Sequence, residues 1–346
     1  MQTVASLTER ELIARVRAHL PPAPPWLLVG IGDDAAVVEP ERNRVEVLTV
    51  DAIVEGVHFD RAFVPAEAIG HRALAVNLSD LAAMGAAPRL ALLSMALPAT
   101  LPLADFEAII AGLAALAAQH RLHVAGGNLT RTPGPLLIDV TVMGTVKRRQ
   151  SLTRAGARPG DDLYVSGAIG SARAGLRSLQ SVVAGRPSAF SDHQTSLDAY
   201  LKPQPRVALG VHLARNKAAS ACMDLSDGLS DALEQMAEAS GVGMTIDADA
   251  LPIDPGVRAF FAGRDEDPVA ESLAGGDDYE LLIAVRPRTQ RRLAEAMRRG
   301  GVPLTRIGRC TADRAIVVRG GGAVAAAALP QGFSHFAHLK GSRSDA

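Results

Sequence analysis

Directly after Thr8-Glu9-Arg10-Glu11, Leu12, Ile13, Val16 and Leu20 recur at helical spacing and fall on one face. Thr8 and Glu11 make a capping-box pattern, and Pro21, Pro22, Pro24 and Pro25 stop the helix. Residues 45–50 read as a strand instead, because Val45, Val47 and Thr49 alternate with Glu46 and Leu48 in a β-branched run. The pattern then predicts a helix over 66–84, a strand over 90–97, a helix over 106–120 and a long strand over 136–146. The run Lys147-Arg148-Arg149-Gln150 breaks the apolar pattern and marks a domain boundary. Beyond it, strands are predicted at 162–166, 219–223, 244–246 and 279–285. Helices are predicted near 171–179, 206–215, 227–240 and 290–299. Mixed elements in this order predict an α/β protein of the α+β type with domains at 1–147 and 148–340, and a polar, flexible tail at 341–346.

The chain has 346 residues, 48% of them apolar, which is enough for two cores. With 36 basic against 37 acidic residues the net charge is -1, which argues against nucleic acid and against a polybasic membrane anchor. Pro98 and Pro102 cut the longest apolar stretch, and a membrane span needs about 20 apolar residues in a row. Glu9 and Glu11 interrupt the first twenty residues, so no secretory leader is expected and the predicted location is cytoplasmic. Cys222 and Cys310 are too few for a disulfide framework or a cysteine-based zinc site.

Chemistry concentrates where aspartates stand beside glycine and serine: Gly32-Asp33-Asp34, Val50-Asp51, Leu78-Ser79-Asp80, Asp224-Leu225-Ser226-Asp227-Gly228 and Gly275-Gly276-Asp277-Asp278. Asp and Gly also favour turns for backbone reasons, so each motif alone has an ordinary reading. Asp80 is different, because its predicted helix is apolar on nearly every side and no Lys or Arg lies one turn away. An unpaired buried carboxylate there costs several kcal/mol, and a bound cation resolves the conflict. Asp51 and Asp224 are expected at strand ends and Asp227 at a helix start, where α/β proteins place ligands. Oxygen ligands without a His or Cys cluster favour Mg²⁺, which commonly bridges carboxylates to substrate phosphates. Gly126-Gly127 and the run Gly167-Ala168-Ile169-Gly170 can admit phosphate to backbone N–H groups, and Arg131 and Arg154 can clamp its oxygens. The Gly30-Ile31-Gly32 sequence mimics a dinucleotide fingerprint, but Val37-Val38-Glu39-Pro40 follows in place of a helix, and no Walker A loop occurs. Two short echoes, Leu78-Ser79-Asp80 with Leu225-Ser226-Asp227 and Ala125-Gly126-Gly127-Asn128 with Ala274-Gly275-Gly276-Asp277, raise the question of an internal duplication.

Taken in order, the motifs resemble those of the thiamine-monophosphate kinase family of the aminoimidazole-ribonucleotide-synthetase-like (AIR-synthetase-like) superfamily. The matching stretches are GIGDDAAVV at 30–38, DAIVEGVHF at 51–59, ALAVNLSDLAAMGAAP at 73–88, GGNLTR at 126–131, LTRAGARPGDDLY at 152–164, MDLSDGL at 223–229, GGDDYELL at 275–282 and GFSHF at 332–336. The resemblance implies a two-domain AIR-synthetase-like fold with the active site in the cleft between domains. It implies a homodimer that transfers the γ-phosphoryl of ATP directly to thiamine monophosphate, with several Mg²⁺ ions and no side-chain nucleophile. The implied metal ligands are Asp34, Thr49, Asp51, Asp80, Asn128, Asp224 and Asp227. ATP would meet Gly127, Asn128, Arg154 and Ser226, and the thiamine-phosphate site would use His58, Asp277 and Phe333.

The chain departs from the family at Gly126-Gly127-Asn128-Leu129, where the pattern has aspartate and threonine after the glycines, and at Val50-Asp51-Ala52, where it has threonines around the aspartate. Asn128 offers a carbonyl oxygen without the charge, so one metal site is expected to be weakened and not lost. The alternative reading is a degenerate homologue that binds ATP or thiamine phosphates without turnover. A sibling activity is a second alternative: selenophosphate synthetase would want a reactive Cys near the N-terminus, and none precedes Cys222, while the hydrogenase-maturation relative would want a C-terminal Cys, where this chain ends Ser344-Asp345-Ala346.

Overall fold

The structure, a computed structural model, describes residues 2–185, 194–320 and 329–332. The capping box forms as its residues predict. The Thr8 amide donates to the Glu11 carboxylate at 2.7 Å while the Thr8 hydroxyl accepts from the Glu11 amide, and α1 (Glu9–Ala18) buries Leu12 and Val16. β1 (Leu27–Val29) and β2 (Val37–Val38) then pair as a short antiparallel hairpin.

β3 (Arg44–Val54), β4 (Ala87–Pro98), β5 (His123–Thr132) and β6 (Leu137–Lys147) build a four-stranded sheet in the order β3-β6-β4-β5. β4 and β5 run parallel, joined through α3 (Leu103–Gln119), and the other pairs are antiparallel. α2 (Ala66–Ala83) is buried along almost its whole length between this sheet, α3 and the second half of the chain. The opposite sheet face leaves Leu48, Val50 and Leu92 exposed.

The second half comprises β7 (Asp162–Ser166), α4 (Ser171–Val183), α5 (Gln194–Leu201), α6 (Val207–Asn216), β8 (Ala221–Asp224), α7 (Leu229–Ser240), β9 (Gly243–Asp247), α8 (Pro255–Ala262), α9 (Pro268–Ala274), β10 (Leu281–Val285), α10 (Gln290–Gly300), β11 (Leu304–Thr311) and β12 (Ile316–Arg319). Its sheet has the order β12-β9-β11-β7-β10-β8 and is antiparallel except for the β12–β9 edge. Leu281 and Ile283 of β10 join a core shared with α2 and α3, while Leu282 and Ala284 face a second core under α7, α8 and α9. The six-stranded sheet is therefore packed on both faces, and the first face continues into the core of the other half. Among the described residues no helix is long and apolar enough to cross a membrane. Cys222 and Cys310 are buried free thiols.

Three segments differ from the expectation. β3 continues to Val54, so Asp51 lies inside the strand and not at its end. α7 starts at Leu229 with Gly228 as N-cap, which leaves Asp227 in the loop before it. Gly126, Gly127 and Arg131 sit within β5, a strand that the sequence pattern does not predict because two glycines erase the alternation that signals one.

Candidate active site

α2 carries Arg72, Val76 and Asp80 at steps of four residues, so the three share one helical face. That face opens onto a cavity of 640 Å³. Its other walls come from Asp51 of β3, His58, Phe59 and Phe63 of the following loop, Arg173, Leu176 and Gln180 of α4, and Tyr200 near the end of α5. Arg154, the loop after β8 with Ser226 and Asp227, and the loop before β10 with Gly276, Asp277 and Tyr279 complete it. Asp80 is half-buried and not buried as its apolar helix predicts, because the last turn of α2 reaches this opening.

Two loops meet here through their backbones. The Asp277 amide donates to the Ser226 carbonyl at 2.8 Å, and the Tyr279 amide donates to the Leu225 carbonyl at 3.0 Å. A Cβ on Gly276 would meet the Ser226 carbonyl at 2.6 Å, and one on Gly228, whose φ is +104°, would meet the Gly275 carbonyl at 2.9 Å. Glycine at both positions is what lets the loops close to this spacing. Asp277 and Tyr279 themselves hold positive φ of 69° and 49°, a strained conformation for residues with side chains. The neighbouring Asp278 turns away and accepts from the Gly170 and Ala172 amides at 2.7 and 3.2 Å, holding the glycine loop that starts α4. Burial pushes its carboxyl up to about 8.

The acidic group is under electrostatic tension. The Asp224 side chain is buried, and burial followed by the charge of Asp80 pushes its carboxyl up to about 7 despite a hydrogen bond from the Ser79 hydroxyl at 2.8 Å. Asp51 opens to the cavity, yet desolvation and then repulsion from Asp80 and Asp224 push it to about 7 as well. Burial also raises Asp80, against the Thr49 hydroxyl that donates to it and the positive charge of Arg154. Among the described residues no three His, Cys, Asp or Glu side chains close into a ready-made metal cage. The donor set still suits Mg²⁺, which takes one or two carboxylates and completes its octahedron with water and substrate phosphate. A cation also offsets the burial that lifts Asp51, Asp80 and Asp224 and the repulsion that adds to it at Asp51 and Asp224.

The cavity thus gathers Asp51, Asp80, Asp224, Asp227, Arg154, Ser226, His58 and Asp277, with Thr49 attached through Asp80. His58 Nδ1 accepts the Val54 amide hydrogen at 3.0 Å, which puts the proton of the neutral ring on Nε2. Asp34 lies apart, exposed in the turn between β1 and β2. Gly127 and Asn128 also lie apart, on the edge strand β5. Asn128 shares a cross-strand row with Ser94, Asp139 and Ala52, next to the row of Gly127, Leu93, Val140 and Asp51. Adjacent rows project to opposite faces, so the Asn128 side chain leaves the sheet on the face away from Asp51. Phe333 lies outside the described residues. The echoed motifs occupy unlike settings: Asp80 ends a helix and Asp227 lies in a loop, while Asn128 is in a strand and Asp277 in a loop. Arg72, Tyr200 and Tyr279 were not legible as site residues. The available signal for Arg72 was its place two turns before Asp80 on one face of an apolar helix.

A fold of two αβ units with an acidic cleft between them is that of the AIR synthase related proteins. The N-terminal domain of that family matches residues 32–146 and its C-terminal domain residues 158–321. The thiamine-monophosphate kinase of Salmonella typhimurium is 39% identical over 287 residues, covering 82% of this chain and 84% of the relative. That of Bacillus subtilis is 35% identical over 280 residues, covering 81% and 84%. The crystal structure of thiamine-monophosphate kinase from Stenotrophomonas maltophilia K279a superposes with a TM-score of 0.80 at 41% identity, covering 92% of this chain and 98% of that one. AaThiL complexed with AMPPCP and TMP superposes with a TM-score of 0.74 at 30% identity, covering 97% and 99%. The hydrogenase maturation protein HypE of E. coli, at 21% identity and a TM-score of 0.71, shares the fold. The chain belongs to the thiamine-monophosphate kinase family.

Proposed function

We propose that this enzyme transfers the γ-phosphoryl group of ATP onto the phosphate of thiamine monophosphate, giving ADP and thiamine diphosphate. The observation that carries the reading is one cavity along the α2 face, with four clustered aspartates around Asp80 at one end, Arg72 with Asp277 and Tyr200 two turns away, and Phe59 and Phe63 among the walls. A phosphate monoester has its second pKa near ~6, so the acceptor is ionised at neutral pH and needs no general base. No side-chain nucleophile is required, and the task is to hold two polyanions in line.

Asp51, Asp80, Asp224 and Asp227 would hold Mg²⁺, with Thr49 oriented on Asp80. Bound there, Mg²⁺ would neutralise phosphate oxygens of both substrates. Arg154 supplies a further cation at the same end; it is exposed and held by Gln235, a position from which it can meet the ATP phosphates alongside Ser226. His58 and Asp277 face the acceptor, and Phe333 is assigned there by the family pattern. The roles of Asp34, Gly127 and Asn128 rest on that pattern too, since they lie outside this cavity. We place the domain boundary between β6 and β7. The exposed Leu48, Val50 and Leu92 on one face of the four-stranded sheet favour a homodimer that covers them. Two buried free thiols suit a cytoplasmic location.

A coupled assay with ATP, Mg²⁺ and thiamine monophosphate tests the function. ADP and thiamine diphosphate are expected in equal amounts, with ADP release dependent on the acceptor. ATP binding with no thiamine diphosphate across a wide Mg²⁺ range would instead identify a degenerate homologue.

A further inference from the structure

Arg72 belongs to none of the matched motifs, yet it lines the cavity and holds Asp277 there. Its side chain is 1% exposed, and Nη2 donates to Asp277 Oδ1 at 3.1 Å. Nη1 donates to the Tyr200 carbonyl, and the guanidinium carbon stacks 4.3 Å from the centre of the Tyr200 ring. The Tyr279 hydroxyl donates to the same Asp277 Oδ1 at 2.9 Å, and the Tyr200 hydroxyl donates to the His58 carbonyl at 3.3 Å. One cation on α2 therefore ties together the loop before β10, the end of α5 and the loop after β3. These three segments carry both residues assigned to the thiamine-phosphate site among the described residues.

Stability alone is a poor reason for this arrangement. Removing a guanidinium from water costs several kcal/mol, and an apolar side chain of similar volume commonly packs as well. Nε of Arg72 has no hydrogen-bond partner among the described residues, so the pairing is not even complete. The one carboxylate it holds is 31% exposed and lines the cavity. Arg72 also stands eight residues before Asp80 on the same helical face, about 12 Å along the axis, on the scale of a two-ring monophosphate.

We infer that Arg72 is a positioning residue for the acceptor, orienting the Asp277 carboxylate toward a cationic or amino-bearing heterocycle and fixing Tyr200 beside it. This rests on the function proposed above. Arginine is needed because its planar fork reaches Asp277 and the Tyr200 carbonyl at once, whereas a lysine ammonium is a single point charge.

The test is equilibrium titration with thiamine monophosphate in the absence of ATP, for wild type, Arg72→Lys, Asp277→Asn and the double variant, with thermal unfolding as the folding control. Arg72→Lys is expected to weaken acceptor binding about tenfold. In turnover it raises KM for thiamine monophosphate and leaves KM for ATP and kcat within about twofold. The double variant binds no worse than Asp277→Asn alone. Tyr279→Phe removes the other donor to Asp277 Oδ1 and gives a smaller loss in the same direction, which decides the matter if Arg72→Lys does not fold. Wild-type acceptor affinity in folded Arg72→Lys, or additive losses in the double variant, overturns the inference while the proposed function stands. Failure of the wild-type protein to bind thiamine monophosphate overturns the function, and the inference with it.

Discussion

Asp224 shows how much a single residue reveals when its surroundings oppose its chemistry. Its folded carboxyl is pushed to about 7 by burial and Asp80, far above its ordinary value of 3.8. Between those limits the folded, metal-free protein binds more protons than the unfolded chain, so stability falls as pH rises through the window and is lowest above 7. A bound cation offsets this cost at neutral pH. Metal-free wild-type protein is therefore expected to melt at a lower temperature at pH 8 than at pH 6.5. Asp224→Asn, which cannot ionise, loses part of that difference, and saturating Mg²⁺ abolishes the rest. The histidines His71, His120, His123 and His212, held below their usual range by desolvation, act in both proteins and cancel in the comparison. Equal slopes in wild type and variant, read from thermal unfolding in chelator, would remove the electrostatic argument for a cation here. Single residues of this kind were legible in the sequence wherever an acid interrupts an apolar or glycine-rich run. Arg72 was not, because its partners Asp277 and Tyr200 lie 205 and 128 positions away and only tertiary packing brings them near.

At the scale of elements, amphipathic periodicity and β-branched runs located the long helices and central strands to within a few residues. α2, α3, β6, β7 and α10 follow the predicted segments closely because each is long enough to show its own period. The pattern failed for β5, whose glycines carry no alternation, and for β11 and β12, which are short or interrupted by Arg306 and Arg309. Those two arginines pair with Asp162 at the sheet surface, so their charge says nothing against a strand. The setting of β5 matters for the site. The sequence alone leaves the Gly126-Gly127 backbone free to meet a phosphate. As a strand, it commits Asn128 to the sheet face that also bears Leu92 and Ser94. The family pattern, which has a metal-binding aspartate here, predicts that Asn128→Asp lowers the Mg²⁺ concentration for half-maximal activity roughly tenfold, whereas the strand geometry alone predicts no change. Mg²⁺ titration of turnover at fixed ATP makes the comparison. An unchanged midpoint would mean that β5 does not contact the ions and that the cavity aspartates hold them alone.

Across the whole molecule, the site exists because two αβ units share one core. α2 is buried against its own sheet on one side and near β8 and α6 of the other unit, so Asp80 and Asp224 are brought together without either belonging to a long loop. Ser79 donating to Asp224 and Arg72 to Asp277 are among the polar links across that contact. The order of motifs along the chain revealed that the two halves cooperate, since neither half alone contains the full acidic set. The spacing of those motifs could not reveal which residues face each other, because that depends on how the six-stranded sheet packs against α2. We propose that this shared acidic cleft performs the phosphoryl transfer. Its most direct test is the single-turnover rate at which the labelled γ-phosphoryl of ATP appears in thiamine diphosphate, compared between wild type and an Asp80→Asn variant shown to fold. Transfer is expected in the wild type, with a loss of about 100-fold or more in the variant. Transfer at the wild-type rate in Asp80→Asn would contradict the proposal and place the chemistry elsewhere.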